Sequence, residues 1–255
     1  MALKPKIQVE NIHKSFENKQ VLKGASLTVY EGETFLIIGR SGAGKSVLLK
    51  NILGLQHPDS GRVLIDDTDI SRLNPSESKR IRLKFGLVYQ GSALFDFLTI
   101  EENVGFYFYQ HTKMKRARVR EKVRDMLALV GLKDIEDLYP YQLSGGMRKR
   151  VAIARAIIYN PEIIVYDEPT TGVDPISVDK IVSLIEGLHS QFNITSLVVT
   201  HDLEVGLKIA DRLAFLLGGR MIFEGDTQDL EQTEDKRVIQ FLEGSSKGPI
   251  QEMEV

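Results

Sequence analysis

The sequence predicts an α/β protein, because short apolar runs with the length of buried strands alternate with longer runs in which apolar residues recur every three to four positions. Two further observations refine this prediction. Segments 6–16 and 25–32 alternate apolar and polar residues, as in an antiparallel edge sheet, and the stretch 91–160 has mostly helical spacing. We therefore expect an α/β core with an antiparallel β edge and a helical insert.

The remaining elements are predicted from the same two patterns, short apolar or alternating runs for strands and apolar residues every three to four positions for helices. Strands are predicted over residues 33–39, 61–67, 84–90, 162–168 and 196–201. Helices are predicted over residues 44–55, 115–132, 146–158 and 178–192. Near the end of the chain, residues 212–225 have the pattern of a hairpin that turns on Gly218 and Gly219.

The composition excludes several classes of function. The net charge of -2 offers no bulk attraction for nucleic acid, and the lack of cysteine excludes disulfides, zinc thiolate sites and cysteine nucleophiles. The amino terminus has no apolar signal-peptide core, and no apolar run approaches the ~18 residues that a membrane span needs. We expect a soluble protein with no nucleic-acid partner, whose membrane role would come through another protein.

The strongest motif is GRSGAGKS, residues 39–46, which fits the pattern G-x-x-x-x-G-K-[ST] and joins a buried strand to a helix. Its glycines let backbone N–H groups face phosphates, Lys45 reaches the β and γ oxygens, and the Ser46 hydroxyl ligates Mg²⁺. The competing interpretation is a tight turn that happens to be rich in glycine. The predicted nucleotide-binding residues here are Gly39, Arg40, Ser41, Gly42, Ala43, Gly44, Lys45, Ser46 and Val47.

Polar residues follow three other buried strands. Asp167 is expected to hold Mg²⁺ through water, and Glu168 to polarise the attacking water as general base, although two acids after a strand are often a helix cap or surface charge. His201 could hydrogen-bond the γ-phosphate, because parallel strands deliver their carboxyl ends to one sheet edge. Gln90 could bring its amide to Mg²⁺ and the attacking water.

A second candidate anion site is LSGGM, residues 143–147, which opens the helix predicted at 146–158. A serine followed by two glycines at a helix start presents backbone N–H groups and the positive end of the helix dipole. Two phosphate cradles in one chain need an explanation that this pattern alone does not supply.

Taken in order, the phosphate-binding loop, YQ, LSGGM, IIVYDEP, TTGVDP and VVTHD resemble the nucleotide-binding subunit of ATP-binding cassette (ABC) transporters, from about Ile7 to Gly225. The resemblance implies a P-loop NTPase core of the RecA-like type, an antiparallel β edge subdomain and an inserted α-helical subdomain. It implies one ATPase domain over 5–244, with its core at about 5–90 and 161–244 and its helical subdomain at about 91–160. The tail 245–255 is expected to be flexible or docked on a partner subunit.

The resemblance also implies how the second cradle works. Two subunits meet head to tail, so that Ser144, Gly145 and Gly146 of one cover the γ-phosphate of ATP held by Lys45 of the other. In the family pattern Gln90 is the Q-loop residue and His201 the switch histidine. The family pattern implies two further residues of the nucleotide site: Asp174 is the D-loop residue that touches the other subunit, and Phe16 stacks on adenine, where the family more often has tyrosine. Met147 is inferred to pack there as an apolar contact.

A narrower resemblance rests on GSALFDFLTIEENV after Gln90, the methionine of LSGGM, Ile176 after DP, and RVIQFLEG. These segments look like the ATPase of Mla-type systems, which move phospholipids between bacterial membranes. The implied partners are a second copy of the chain, a permease dimer, a lipid-binding MCE-class protein and a small STAS-domain subunit. The implied location is cytoplasmic, peripheral on the inner membrane through the permease.

Several alternatives stay open at this point. The chain could serve another cargo with the same chemistry, or act as a soluble ABC ATPase on ribosomes or DNA, whereas LSGGM disfavours a plain P-loop kinase. Phe95, Phe97 and Leu98 are candidate permease contacts or ordinary core of the insert. The basic run 113–124 could meet anionic lipid, but alternating charges favour a solvated helix face.

Overall fold

A computed structural model describes residues 4–17 and 19–250, so residues 251–255 of the predicted tail lie outside the described residues. The strands in chain order are β1 (Pro5–Phe16), β2 (Lys19–Tyr30), β3 (Thr34–Ile38), β4 (Ser60–Ile65), β5 (Thr68–Asp69), β6 (Phe85–Val88), β7 (Ile163–Asp167), β8 (Thr195–Val199), β9 (Arg212–Leu217) and β10 (Arg220–Asp226). The α-helices are α1 (Lys45–Ile52), α2 (Pro75–Arg82), α3 (Ile100–Val104), α4 (Phe106–His111), α5 (Arg116–Leu129), α6 (Gly145–Ile157), α7 (Pro175–Phe192), α8 (Leu203–Ile209), α9 (Thr227–Glu231) and α10 (Lys236–Leu242).

The chain divides into two compact units, with boundaries after Asn74 and after Val199. The first unit contains the amino-terminal and carboxyl-terminal parts of the chain, and the second unit contains the part between these boundaries. In the first unit, β2, β1, β4 and β5 form an antiparallel sheet in that order. Ile7 and Val9 of β1 are buried two residues apart, as the predicted alternation requires, and Ile12 is buried beyond an irregularity in the pairing between Val9 and Ile12.

The first unit also contains β9, which pairs in parallel with β3 and antiparallel with β10. The predicted hairpin on Gly218 and Gly219 is confirmed, since both glycines have left-handed φ angles of 56° and 82°. A Cβ on Gly219 would lie 2.2 Å from the Val21 carbonyl oxygen. The turn therefore requires glycine for its backbone conformation and for the close approach of β2.

In the second unit, β6, β7 and β8 form a parallel sheet with β7 in the centre. The four apolar and aromatic residues that begin β7 are fully buried, as expected for a strand covered on both faces. Because the strands are parallel, the segments after β6 and β7 leave the sheet at the same edge. Gln90 and Glu168 lie in these two segments, and Asp167 is the last residue of β7.

The second unit also holds α3 to α6, the helices of the predicted insert. Helix α5 buries Val119, Val123 and Leu127 on one face, and its arginines Arg116 and Arg120 pair with the carboxylate of Glu101, which is 1% exposed. The basic run is therefore partly a set of ion pairs that hold α5 to α3. Among the described residues, no helix combines the length and the apolar character needed to cross a membrane.

Some boundaries differ from the predicted ones. Residues 91–99 lie in turns and loops, so the helices of the insert begin only at Ile100, where Thr99 and Glu102 form a capping box. Strand β2 begins at Lys19, earlier than predicted. The pattern did not reveal α2, because Ile81 is its one buried residue and a single apolar position gives no period.

Candidate functional site

The phosphate-binding loop, residues 39–46, connects β3 to α1 in the first unit. Gly42 and Gly44 have φ angles of 78° and 106°, in the left-handed region that glycine adopts without strain. A Cβ on Gly39 would lie 2.4 Å from the Leu216 carbonyl oxygen, so no larger residue fits where the loop leaves β3. The path of this loop therefore depends on all three glycines.

Lys45 provides the positive charge of the loop. It is the first residue of α1 and only 9% exposed, and its Nζ donates to the carbonyl oxygens of Gly39 at 2.5 Å and Arg40 at 3.2 Å. The first N–H groups of a helix have no acceptor within the helix, and Gly44 supplies no side chain to cap them. Ammonium, N–H groups and helix dipole together suit the phosphate chain of ATP.

Phe16 and His201 also belong to the first unit. Phe16 ends β1 with its side chain 43% exposed, and the Nζ of Lys14 lies 5.8 Å from the ring centroid. The Thr200 N–H donates to the Ile37 carbonyl oxygen at 3.3 Å, so the segment that carries His201 starts beside the end of β3. This places the exposed His201 near the point where the phosphate-binding loop begins.

The acidic pair lies at the end of β7 in the second unit. Glu168 is 8% exposed and has a left-handed φ of 50°, a strained conformation for a residue with a side chain. Its N–H donates to the Val199 carbonyl oxygen at 2.8 Å, and its Oε2 accepts a hydrogen bond of 3.1 Å from the Thr171 hydroxyl. Thr171, which the sequence reasoning did not single out, thus orients the Glu168 carboxylate.

Gln90 follows β6 and is exposed. Burial raises the pKa of the neighbouring Tyr89, the Asp167 carboxylate adds to this rise, and Arg155 opposes it. Asp167 therefore acts electrostatically on the residue that precedes Gln90. The structure thus brings the ends of β6 and β7 together, as the sequence predicts.

Lys149, which the sequence patterns did not predict as a site residue, connects these two strand ends. Lys149 of α6 is 4% exposed, and its Nζ donates to the carbonyl oxygens of Gln90 and of Glu168, the latter at 3.1 Å. Burial lowers the pKa of Lys149, and the charges of Glu168 and Asp167 oppose this shift. The helical spacing could have predicted that Lys149 is buried, because it lies three residues after buried Gly146 and four before buried Ile153, on the inner face of the helix.

The LSGGM segment, residues 143–147, opens α6. Ser144 caps the helix through its Oγ, which accepts from the Met147 N–H at 3.2 Å and leaves the hydroxyl proton as a donor. A Cβ on Gly146 would lie 2.4 Å from the Ser177 Oγ. Ser177 in turn donates its N–H to Asp174, the cap of α7, at 3.0 Å. The LSGGM segment therefore packs against Ser177, the residue whose N–H donates to the predicted D-loop residue Asp174.

We expect Gly146→Ala to destabilise the start of α6, because the new methyl group would overlap both the Cβ and the Oγ of Ser177. The double variant Gly146→Ala, Ser177→Gly removes that overlap and is expected to recover much of the loss in thermal midpoint. Scanning calorimetry of the single and double variants measures this. If the second substitution recovers nothing, the close packing of these two residues does not determine the choice of glycine.

Comparison with known proteins identifies the family. The model of the ABC transporter family matches residues 22–171, which is more than half of this chain. The chain belongs to the ABC transporter family. The fold predicted from the sequence, a P-loop cassette of mixed α/β structure, is thereby confirmed, and ATP binding and hydrolysis are the activities of such a cassette.

Two relatives and one solved structure show how far the similarity to this ABC cassette extends. The intermembrane phospholipid transport system ATP-binding protein MlaF of Haemophilus influenzae is 41% identical, over 96% of this chain and 92% of its own. The methionine import ATP-binding protein MetN of Clostridium tetani is 38% identical, over 92% of this chain and 74% of its own. The ATP-binding cassette MJ0796, solved as a dimer in a post-hydrolysis state with ADP and phosphate, superimposes with a TM-score of 0.79 at 34% identity, over 86% of this chain and 98% of its own.

The similarity to MlaF confirms the resemblance to Mla-type ATPases that the sequence shows. The similarity to MetN shows that the cassette is also shared with a protein named for a different cargo.

Proposed function

We propose that this ABC cassette hydrolyses ATP to drive phospholipid movement between bacterial membranes through a permease. The observation that supports it is the 41% identity to MlaF across nearly the whole of both chains. A cargo of another kind is the second candidate, and the 38% identity to MetN favours it. The ATPase chemistry is the same for both cargoes, because the proposed site residues bind nucleotide and not cargo.

In the first unit, the phosphate-binding loop binds the phosphates through its backbone N–H groups and Lys45. The ammonium of Lys45 already lies within the loop, where it donates to two carbonyl oxygens. Ser46 offers its hydroxyl to Mg²⁺, Phe16 offers an exposed ring to the adenine, and His201 hydrogen-bonds the γ-phosphate. These roles make the first unit the part that holds the nucleotide.

In the second unit, the carboxylate of Glu168 would accept a proton from the attacking water, and Asp167 and Gln90 are the residues that would hold Mg²⁺. Thr171 and the strained backbone hold the Glu168 carboxylate in one orientation, which favours a positioned general base. Mg²⁺, when bound, neutralises charge on the phosphate oxygens. The chain's own residues thus supply positioning, a base and hydrogen-bond donors, which is what phosphoryl transfer requires.

We also propose that two copies of the chain act together, with residues 5–244 of each forming one ATPase domain. Ser144, Gly145 and Gly146 of one copy cover the γ-phosphate bound by the other, and Asp174 lies at the contact between copies. Support comes from MJ0796, which was solved as a dimer. The exposed Ser144 and Asp174 are compatible with such an interface. Hydrolysis would then weaken closure, because the shared ligand is lost.

The permease contact is proposed at the loop before α3. Phe97 is 77% exposed, and its ring centroid lies 5.7 Å from that of Phe95, which in turn lies 5.0 Å from that of Phe106. Asn103 accepts from the Phe95 N–H at 2.8 Å and donates back to its carbonyl oxygen at 3.0 Å. An exposed aromatic pair on a fixed loop suits a partner surface. This contact would place the chain on the cytoplasmic face of the inner membrane, with MCE-class and STAS-domain proteins as further partners.

Affinity purification of the full chain from native membranes tests this proposal. We expect an integral-membrane protein and phospholipid in the purified complex, and we expect Phe97→Asp to lose both while it keeps ATPase activity. Phe192→Asp is the matched control, because Phe192 is also exposed, at the end of α7. Methionine in place of phospholipid would favour the second candidate, and ribosomal RNA without a membrane protein would contradict both.

A further inference from the structure

Lys149 is a buried cation whose hydrogen bonds go to the backbone of two segments with proposed catalytic roles. Its acceptors are the carbonyl oxygens of Gln90 and Glu168. The two segments follow β6 and β7, which are paired so that Val88 lies opposite Tyr166. The ammonium therefore connects the ends of two neighbouring strands at the sheet edge where the acidic pair lies.

The Lys149 ammonium is buried, and this burial makes its hydrogen bonds energetically important. Burying an ammonium is unfavourable unless strong acceptors surround it, and hydrogen bonds to a charged donor are stronger than those between neutral groups. At Glu168 the same bond also stabilises a backbone with a left-handed φ of 50°. An uncharged side chain of similar length could fill the space, but it would leave both carbonyl oxygens without this donor.

Arg155, a second cation on α6, also donates hydrogen bonds to the segment after β6. Arg155 donates to the carbonyl oxygens of Ser92 at 2.8 Å and Ala93 at 2.7 Å. Ser92 and Ala93 have left-handed φ angles of 62° and 48°. Helix α6 thus binds the segment after β6 at two places, and it binds the backbone of Glu168 at a third.

We propose that Lys149 is a positioning residue that holds the Glu168 backbone and the Gln90 segment to α6, the helix that begins with the LSGGM segment. The general base and the Q-loop residue then keep their places relative to that helix during ATP hydrolysis. This inference rests on the proposed function, which assigns the base to Glu168. Lys149 acts through these two residues and is not itself placed on the nucleotide.

The test compares three variants of the full-length chain in steady-state ATPase assays. Lys149→Met keeps the length and removes the donor, and we expect kcat to fall about 10²-fold, as for displaced catalytic groups, with KM for ATP within about twofold. Lys149→Arg keeps the charge and is expected to recover part of kcat. Arg150→Met is the matched control, because Arg150 also donates from α6 to two carbonyl oxygens, those of Val130 at 3.2 Å and Gly131 at 2.9 Å. It is expected to keep kcat within about twofold.

The outcomes are distinguishable. If Lys149→Met retains kcat, or if its KM rises as steeply as kcat falls, the positioning role is overturned. If Arg150→Met loses as much kcat as Lys149→Met, the loss reflects general damage to α6 and the inference is also overturned. Glu168→Gln in the same assay tests the premise. If Glu168→Gln keeps its turnover, Glu168 is not the base, and the inference about Lys149 fails with that assignment. If Glu168→Gln loses turnover as expected but Lys149→Met does not, only the role of Lys149 is overturned.

Discussion

Glu168→Gln is expected to lower the rate of ATP hydrolysis by about 10²- to 10⁴-fold, the usual contribution of a positioned general base, while ATP binding stays intact. The amide has nearly the same shape as the carboxylate and can still accept the Thr171 hydrogen bond, but it cannot take a proton from water. Because the γ-phosphate is retained, the variant is also expected to accumulate as an ATP-bound dimer. Phosphate release and size-exclusion chromatography with ATP and Mg²⁺ measure the two effects.

The control for this prediction is Glu162→Gln. Glu162 precedes the other end of β7 and pairs with Lys84 at 3.5 Å, with about half of its side chain exposed. An exposed ion pair contributes little to stability, so this variant is expected to behave like the unchanged protein. A Glu168→Gln variant that hydrolyses ATP as fast as the control would show that another group takes the proton.

Lys45→Met is expected to weaken ATP binding by about 10²-fold or more. Each hydrogen bond from a charged donor contributes about 1.5–3 kcal/mol, and the ammonium is the buried positive charge of the phosphate-binding loop. The methionine fills a similar volume but leaves the Gly39 and Arg40 carbonyl oxygens without their donor. Isothermal titration calorimetry with ATP and Mg²⁺ gives the change in Kd.

Lys50→Met provides the comparison for this second prediction. Lys50 lies in the last turn of the same helix and is exposed, so the substitution removes an equal charge away from the loop. We expect its Kd for ATP to stay within about threefold, because exposed charges are screened by salt. Equal losses in both variants would mean that net charge, and not the position of Lys45 in the loop, governs binding.

Much of the candidate site could be predicted because its motifs are contiguous. The phosphate-binding loop needs Gly39, Gly42, Gly44 and Lys45 within eight neighbouring positions, and the flanking strand and helix show their own periods. The acidic pair was predictable for the same reason, since an apolar strand that ends in two acids is visible without any knowledge of its neighbours. The hairpin on Gly218 and Gly219 likewise depends on a turn of two residues.

Other features could not be predicted from local pattern. Thr171 contacts Glu168 across a turn whose geometry depends on the left-handed φ of Glu168, and the local sequence does not predict that contact. The LSGGM segment contains a glycine that is explained by Ser177, which lies on another helix. The predicted D-loop residue Asp174 also caps α7 in the structure, a role the sequence reasoning did not include.

The α/β class, the phosphate-binding loop, the acidic pair and the resemblance to ABC cassettes are all visible in the sequence, because each depends on residues close together in the chain or on the order of such motifs. Only the tertiary structure showed what Lys149 does. In the sequence it is a lysine between two arginines, Arg148 and Arg150, whereas its acceptors lie 59 and 19 residues away. Whether a lysine is a solvated surface charge or a buried donor depends on which carbonyl oxygens the packed strands bring to it, and that is decided when the sheet forms against the helix.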